Sequence, residues 1–372
     1  MKIVTIVGAR PQFIKCAPVS QAIRKEHEEI IVHTGQHYDA NMSDIFFTEL
    51  AIPAPDYNLG IGSGPQGGQT GKMLAEIENV LQKEQPDMVL VYGDTNSTLA
   101  GSLAAVKLHI PVAHVEAGLR SYDRSMPEEI NRIITDHVSN LLFCPTQTAV
   151  ENLAAEGITK GVYLTGDVMV DALINNVEIA EQSSKILDDL GIYEGEYYVA
   201  TVHRASNTDS EENLRNIMEA FGVISESNGM GDVCKTGNSF NSAIIFPAHP
   251  RTVKCLKEYG IYSDLPGNIR LTEPFSYLDM LHLMKHAKMI LTDSGGVQKE
   301  AYILKVPCVT LRENTEWMET LENGWNVLVG ADSKKIVDSV RDVPSERIKS
   351  FDRFGKGDAA EKICSVISSI ND

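Results

Sequence analysis

Between Pro86 and Asp94 the chain reads Pro-Asp-Met-Val-Leu-Val-Tyr-Gly-Asp, and this run leaves few architectures open. Its apolar residues are nearly continuous rather than alternating. That is the pattern of a strand covered on both faces, and such strands belong to parallel sheets flanked by helices. Shorter runs of the same kind, Lys2–Gly8, Glu29–Gly35, Pro111–Val115, Leu141–Thr146 and Val162–Asp167, each adjoin a turn and a segment of helical period. A second series begins at Tyr197-Tyr-Val-Ala-Thr-Val-His203 and continues through Ala243–His249, Ile269–Leu271, Lys288–Asp293 and Val306–Arg312. Two such series in 372 residues predict an α/β protein of two domains. Val168 to about Leu190 reads as the helix leading into the second, and Ser227–Ser242 as an exposed polar insertion.

Composition narrows the partners. Hydrophobic residues make up 43% and charged residues 23%, and no apolar run approaches the roughly 20 residues that span a bilayer. Met1-Lys-Ile-Val-Thr-Ile-Val enters a strand directly, without the apolar region of a signal peptide, so a cytoplasmic protein is expected. The cysteines at 16, 144, 234, 255, 308 and 364 form no C-x-x-C pair, which argues against a zinc ribbon or a redox motif. A formal net charge of −18 opposes nucleic acid and anionic membranes as partners. An anionic substrate must then rely on local arginine and lysine.

In a parallel sheet, the loops after the strands open toward ligand. After the first strand comes Gly8-Ala-Arg-Pro-Gln-Phe-Ile-Lys15, whose single turn glycine rules out a dinucleotide fingerprint. Arg10 and Lys15 there either meet a phosphate at a helix N-terminus or are simply solvated beside a helix started by Pro11. His37, after the second strand, reads as a ligand contact or a structural loop residue. The glycine-rich segment Leu59–Gly68 fails as a phosphate loop, because Gln66 and Met73 stand where Gly and Ser/Thr are needed; it reads as a surface loop and candidate lid before a helix from about Thr70 to Lys83. Asp94 is a helix N-cap, an acid at the mouth of the sheet, or both. His114-Val-Glu-Ala-Gly-Leu-Arg120 and Ser125-Met-Pro-Glu-Glu-Ile-Asn-Arg132 add Glu116, Glu128, Arg120 and Arg132. Carboxylates beside guanidinium groups suit proton transfer on an anionic substrate. Ser125-x-x-Glu128 fits a capping box, with Glu128 at the third helical position and an apolar stripe of Ile130, Ile133, Ile134, Val138 and Leu141 behind it. His114-x-Glu116 lacks the P-C-x-x-C of zinc deaminases. In the second series, Asp293-Ser-Gly-Gly296 opens a helix whose free amides suit a diphosphate.

Gly-Ala-Arg-Pro-Gln-Phe-Ile-Lys, Tyr-Gly-Asp-Thr, His-Val-Glu-Ala-Gly-Leu-Arg, Pro-Glu-Glu-Ile-Asn-Arg and Thr-Asp-Ser-Gly-Gly-Val-Gln-Lys-Glu occur in this order along the chain. Together they resemble the non-hydrolysing UDP-N-acetylglucosamine 2-epimerase family, nearly end to end. The resemblance implies a glycosyltransferase-B-like fold, two Rossmann-like domains facing a cleft. Residues 1–168 with 356–372 would carry the catalytic acids, and residues 169–355 would bind UDP. It implies Asp94, Glu116 and Glu128 as catalytic acids, with the base and the proton donor unassigned among them. His203 joins this catalytic set, approaching the diphosphate opposite Arg10. Lys15, Arg132 and Arg312 extend the substrate-binding residues, Ser294, Gly295 and Gly296 hold the phosphates, and Glu300 takes the ribose hydroxyls. A second UDP-sugar acting as activator would meet Gln36, His37, Arg204 and His249, although the Gly60–Gly68 loop lacks the arginine of that region.

The implied reaction eliminates UDP to give 2-acetamidoglucal and adds it back after a proton reaches the other face of C2. No nicotinamide, metal or other cofactor is implied; the partners are a UDP-sugar and a second copy of the chain, in polysaccharide precursor supply. Two departures bear on substrate. The usual Gly-Thr-Arg-Pro-Glu is here Gly-Ala-Arg-Pro-Gln, and Thr-Glu-Arg-Pro-Glu is here Thr315-Glu-Trp-Met-Glu319, forms similar to enzymes that epimerise UDP-2,3-diacetamido uronic acids. A glycosyltransferase of the same architecture is a rival, but it does not need three acids in the first domain. A hydrolysing epimerase and a non-catalytic nucleotide-sugar sensor are further alternatives.

Overall fold

The computed structural model describes residues 1–36, 53–227, 243–315, 317–342 and 353–370. His37 and nearly all of the polar insertion lie outside the described residues. The chain divides into two compact units, Met1–Asn175 with Asp352–Asp372 and Asn176–Phe351.

The first unit is built on a parallel sheet of β1 (Lys2–Val7), β2 (Glu28–His33), β3 (Tyr57–Asn58), β4 (Met88–Tyr92), β5 (Val112–Val115), β6 (Leu141–Cys144) and β7 (Val162–Leu164). Their order is β3-β2-β1-β4-β5-β6-β7, so sequence order reverses between β1 and β4. Every residue of β4 is buried, as its unbroken apolar run requires. Val4, Ile6, Val89 and Val91 pack with Met73 and Ile77 of the helix Gln66–Glu84 and with Ala100 and Ala104 of the helix Asn96–Lys107. The last helix, Ala359–Ser369, belongs to this unit: Cys364 Sγ lies 3.5 Å from Ala22 O, and Asp171 accepts the Ala360 amide at 2.9 Å.

The second unit repeats the plan. β8 (Tyr197–Thr201), β9 (Ala243–Pro247), β10 (Ile269–Thr272), β11 (Met289–Thr292), β12 (Cys308–Thr310) and β13 (Asn326–Leu328) form a parallel sheet in the order β10-β9-β8-β11-β12-β13, reversing between β8 and β11. Ala200, Phe246 and Leu291 pack against Leu214, Ile217 and Phe221 of the helix Glu211–Ser227 and against Ile336. Both orders are those of nucleotide-binding α/β sheets. Among the described residues, no helix is long and apolar enough to cross a membrane.

Several local expectations change. The helix expected from Thr70 begins at Gln66, with Pro65 as its N-cap. Its early glycines weaken it intrinsically, but Gln69 donates to Gly62 O at 2.7 Å and to Gln36 O at 3.1 Å, anchoring the first turn. The long helix expected over 168–190 is two, Val168–Ser183 and Ile186–Leu190. No capping box forms at Ser125. The helix Pro127–Val138 has Met126 as N-cap without a side-chain cap, and Ser125 Oγ instead donates to Asp123 at 2.6 Å. Pro127 therefore takes the first helical position and moves Glu129, not Glu128, to the third.

Candidate active site

The reversal point of the first sheet collects the residues singled out around β1, β4 and β5. Register pairs Tyr92 with Val115, so Gly93-Asp94 and Glu116 emerge side by side. Gly8 ends β1 where a side chain has no room, since a Cβ there would collide with Ser97 and Thr34. Gln12 fastens this junction: its Oε1 accepts the amides of Gly8 (2.8 Å) and Ala9 (3.1 Å), while its Nε2 donates to Tyr92 O (2.8 Å) and Thr98 Oγ1 (3.1 Å). All its hydrogen-bonding capacity is used.

Each acid in this region that is drawn inward has a cation. Glu116 is buried, sits at φ +72°, and forms an ion pair with Lys15. A left-handed backbone at a non-glycine residue costs on the order of 1–3 kcal/mol and marks a position held by its surroundings. Burial alone would depress the Lys15 ammonium; Glu116, with smaller contributions from Asp167 and Asp94, outweighs it and holds the pKa above the usual lysine value. Asp94 accepts from Arg132 Nη2 at 2.6 Å, and its backbone carbonyl accepts from Asn131 Nδ2 at 2.9 Å. Consecutive residues of Pro-Glu-Glu-Ile-Asn-Arg thus tie the helix Pro127–Val138 to the loop after β4. Burial works against the Arg132 charge, but Asp94 and Glu129 raise its pKa above the usual arginine value. Glu128 is exposed in the first turn of this helix.

Three neighbours turn out to be scaffold. Glu129 is almost fully buried and accepts from Ser121 N, Ser121 Oγ and Tyr122 N, each at 2.9 Å, and from Arg132 Nη1 at 2.8 Å. Burial pushes this carboxyl up; the amides of Ser121 and Tyr122 and the guanidinium more than offset it, and it sits below the usual carboxylate range. Arg120, expected beside the acids, is withdrawn: it donates to Asp136 at 2.7 Å and to Glu156 at 2.6 and 2.8 Å. His114 is fully buried between Asp136 Oδ1 (2.7 Å) and Gly93 O (2.8 Å), supporting the turn that carries Asp94. Gln36 is likewise buried, and its Oε1 accepts from Ser97 N at 3.0 Å, capping the helix after Asp94.

At the reversal point of the second sheet, Asp293 is fully buried and acts as a clamp. It accepts from the amides of His203 (3.1 and 3.0 Å) and Arg204 (3.0 Å) and from Asn207 Nδ2 (3.1 Å), while its Oδ1 lies 3.2 Å from His203 Nδ1. This joins the loop after β8 to the start of the helix Gly295–Leu304, whose N-cap is Ser294. A Cβ at Gly296 would meet only Ser294 Oγ, at 3.8 Å, so the backbone there is open to a ligand. Burial lowers the His203 pKa; Asp293 opposes this, and Arg204 and His249 add to it, so the ring sits below the ordinary histidine value. Glu300 accepts from Tyr277 OH at 3.5 Å, and the His249 ring accepts the Arg251 amide at 3.2 Å as a helix N-cap. Arg204 and Arg312, expected at different subsites, line one cavity of about 630 Å³ together with Asn207, Asn213 and Lys334. Trp317, the residue in the arginine position of the usual motif, places its ring 4.1 Å from Nζ of the buried Lys299, a cation–π contact.

A family model described as UDP-N-acetylglucosamine 2-epimerase matches residues 21–368. This chain belongs to the UDP-N-acetylglucosamine 2-epimerase family. A Methanococcus maripaludis protein named UDP-N-acetylglucosamine 2-epimerase homolog is 56% identical over 100% of both chains. The UDP-2,3-diacetamido-2,3-dideoxy-D-glucuronate 2-epimerase of Pseudomonas aeruginosa is 46% identical, again over 100% of both. Among solved structures, the Methanocaldococcus jannaschii UDP-GlcNAc 2-epimerase in complex with UDP-GlcNAc and UDP superposes with a TM-score of 0.85 at 48% identity, covering 99% of this chain and 100% of that one. The family and the fold class read from the sequence are both borne out. Sequence reasoning missed Gln12, Glu129, Asn131 and Asp293. The doubled acid in Pro-Glu-Glu and the acid before Ser-Gly-Gly were the available signals.

Proposed function

We propose that this chain reversibly epimerises UDP-N-acetylglucosamine at C2, giving UDP-N-acetylmannosamine. The observation that carries the reading is the pairing of carboxylate with cation at one reversal point, Asp94 with Arg132 and Glu116 with Lys15, in a chain related end to end to 2-epimerases. The helix start at Ser294, Gly295 and Gly296, flanked by His203, holds the diphosphate, and Glu300 binds the ribose. Arg10 and Arg312 add charge for the departing UDP. The first unit therefore supplies the acids and the second the nucleotide anchor.

The C1–O bond breaks and UDP leaves with the bonding pair. The proton on C2, acidified by the electron-poor C1, passes to a carboxylate and leaves 2-acetamidoglucal. A second carboxylate then delivers a proton to the opposite face of C2 while UDP re-adds at C1. Glu116, buried against Lys15, suits electrostatic support better than proton transfer, which falls to Asp94 and Glu128. The same reading carries a cytoplasmic homodimer that feeds polysaccharide assembly.

A second substrate is favoured by one observation, the 46% identity to the diacetamido-glucuronate enzyme over both whole chains. Proton NMR of UDP-N-acetylglucosamine, and separately of UDP-2,3-diacetamido-glucuronate, incubated with the protein in deuterated water tests both. The expected product is UDP-N-acetylmannosamine with deuterium at C2. Turnover of the uronate alone would select the second substrate. Free N-acetylmannosamine as the main product would indicate hydrolysis. No change in either sugar without an acceptor would indicate a transferase or a sensor.

A further inference from the structure

Away from the strand ends, the second unit gathers two histidines and two carboxylates. His282 and His286 stand four residues apart at the end of the helix Tyr277–Lys285, with ring centroids 4.7 Å apart. Glu181, in the last turn of the helix Val168–Ser183, brings Oε1 to 2.8 Å from His286 Nε2 and 3.9 Å from His282 Nδ1. Glu194 Oε1 lies 3.2 Å from the other ring nitrogen of His286, Nδ1. His282 Nδ1 and His286 Nδ1 are both buried, and neither has a hydrogen-bond partner among the described residues.

An ion-pair cluster accounts for part of this, since Lys285 Nζ lies 2.9 Å from Glu181 Oε1. It leaves the Nδ1 atoms of both histidines unexplained, and a buried polar atom without a partner is costly. We propose that Glu181, His282 and His286 form a structural site for a divalent transition-metal ion of the zinc class, with Glu194 orienting the His286 ring. Zinc binds imidazole nitrogen at ~2.0–2.1 Å and carboxylate oxygen at ~2.0–2.2 Å, which sets tetrahedral ligands ~3.3 Å apart. The two separations from Glu181, 2.8 and 3.9 Å, bracket that value, and all three ligand atoms lie within 4.8 Å of one another, so side-chain rotations draw them together around one ion. Two imidazoles select a transition metal over calcium or magnesium, which prefer oxygen ligands throughout. A carboxylate on the second nitrogen of a ligating histidine fixes its tautomer; Glu194 lies 3.2 Å from His286 Nδ1 without hydrogen-bonding it, and would take that part once the ring turns onto the ion. The helix bearing Glu181 carries the chain across the division at Asn175 and Asn176. The ion fastens its last turn to the helix Tyr277–Lys285 and takes no part in the proposed epimerisation.

The test uses the full chain, stripped with a chelator and titrated with Co²⁺ and then Zn²⁺. The expected result is one equivalent of Co²⁺ with the visible bands of a four-coordinate site, displacement by Zn²⁺, and a higher Tm. His282→Gln should abolish the bands, and Glu194→Gln should weaken Zn²⁺ binding roughly ten- to hundredfold. Should His282→Gln fail to fold, Glu181→Gln decides, because that side chain is one-third exposed and its loss is easier to absorb. Absence of bands in the unmodified protein overturns the proposal. So does their survival in either variant, which would move the ion to the other His-bearing cluster among the described residues, Glu26, His27 and Cys364.

Discussion

Both sheets run in the same order and place their candidate functional residues where that order reverses, but the two gaps are furnished differently. Between β1 and β4, side-chain charges meet in pairs: Lys15 with Glu116 and Arg132 with Asp94 and Glu129, braced by His114, Asp136 and Gln12. Between β8 and β11 the one buried carboxylate among the described residues is Asp293, which accepts from backbone amides and the Asn207 side chain, leaving an open helix start and a histidine whose pKa is held down by burial. Proton transfer needs charged groups fixed in place by partners. Holding a diphosphate needs backbone donors that a ligand can approach. One topology serves both because the loops, not the strands, carry the chemistry.

The largest effect that could break this division is on turnover. Asp94→Asn and Glu128→Gln should each lower kcat by about 10²–10⁴-fold, the usual worth of a positioned acid or base, while UDP affinity changes little. If calorimetry showed UDP affinity falling in step with kcat in either variant, that acid would belong to nucleotide binding and the division of labour would be wrong.

The next effect separates two adjacent glutamates. Glu129→Ala removes a nearly buried acceptor of four hydrogen bonds and strands one side of Arg132, so urea unfolding should show a loss of about 3–5 kcal/mol. Glu128→Ala, at an exposed position, should stay within about 0.5 kcal/mol of the parent. Equal losses would mean that Glu128 also serves the scaffold.

A pH titration of UDP binding sharpens the second gap. In the free protein burial keeps the His203 pKa below its ordinary value, against Asp293 and with Arg204 and His249. A diphosphate beside the ring favours the imidazolium, so binding should raise that pKa and take up a proton. UDP affinity should therefore strengthen as pH falls through the bound-state value and level off below the free-state value. His203→Gln should flatten this component, leaving only the titration of the phosphate itself. An unchanged pH slope in the variant would remove His203 from the anchor.

How much of this was legible follows from how local each signal is. Strand, turn and helix succeed one another within a few residues, so β4 with Asp94 and β11 with Ser294-Gly-Gly could be read directly. The short strands β3 and β13, of two and three residues, carry too little pattern to be seen. The first-unit scaffold was illegible for a different reason. Gln12 binds Thr98 and Arg120 binds Glu156, contacts that span 86 and 36 residues of sequence. Nothing local distinguishes Glu129 from Glu128 until the helix start is fixed at Pro127. The apolar stripe misled as well: the helix Pro127–Val138 buries Glu129, Asn131, Thr135 and Asp136, while Ile130 is 37% exposed. Its polar face is needed to hold Asp94, and that need overrides the usual burial of the apolar one.

The smallest effect expected is at Gly296. Adding a methyl group there meets only Ser294 Oγ at 3.8 Å, and Gly296 is in the first turn of the helix, where alanine is the better helix former. Gly296→Ala should therefore leave stability unchanged or raise it by up to about 1 kcal/mol. The same methyl group would stand over the amides proposed to meet the diphosphate, so UDP affinity should fall while the fold is intact. Gly8→Ala makes the opposite case, since its new Cβ collides with Ser97 and Thr34 and should cost stability before any ligand is added. If Gly296→Ala bound UDP as tightly as the parent, the phosphate would lie elsewhere than on this helix start. The contrast between a charge-filled gap and an open one would then lose its chemical meaning.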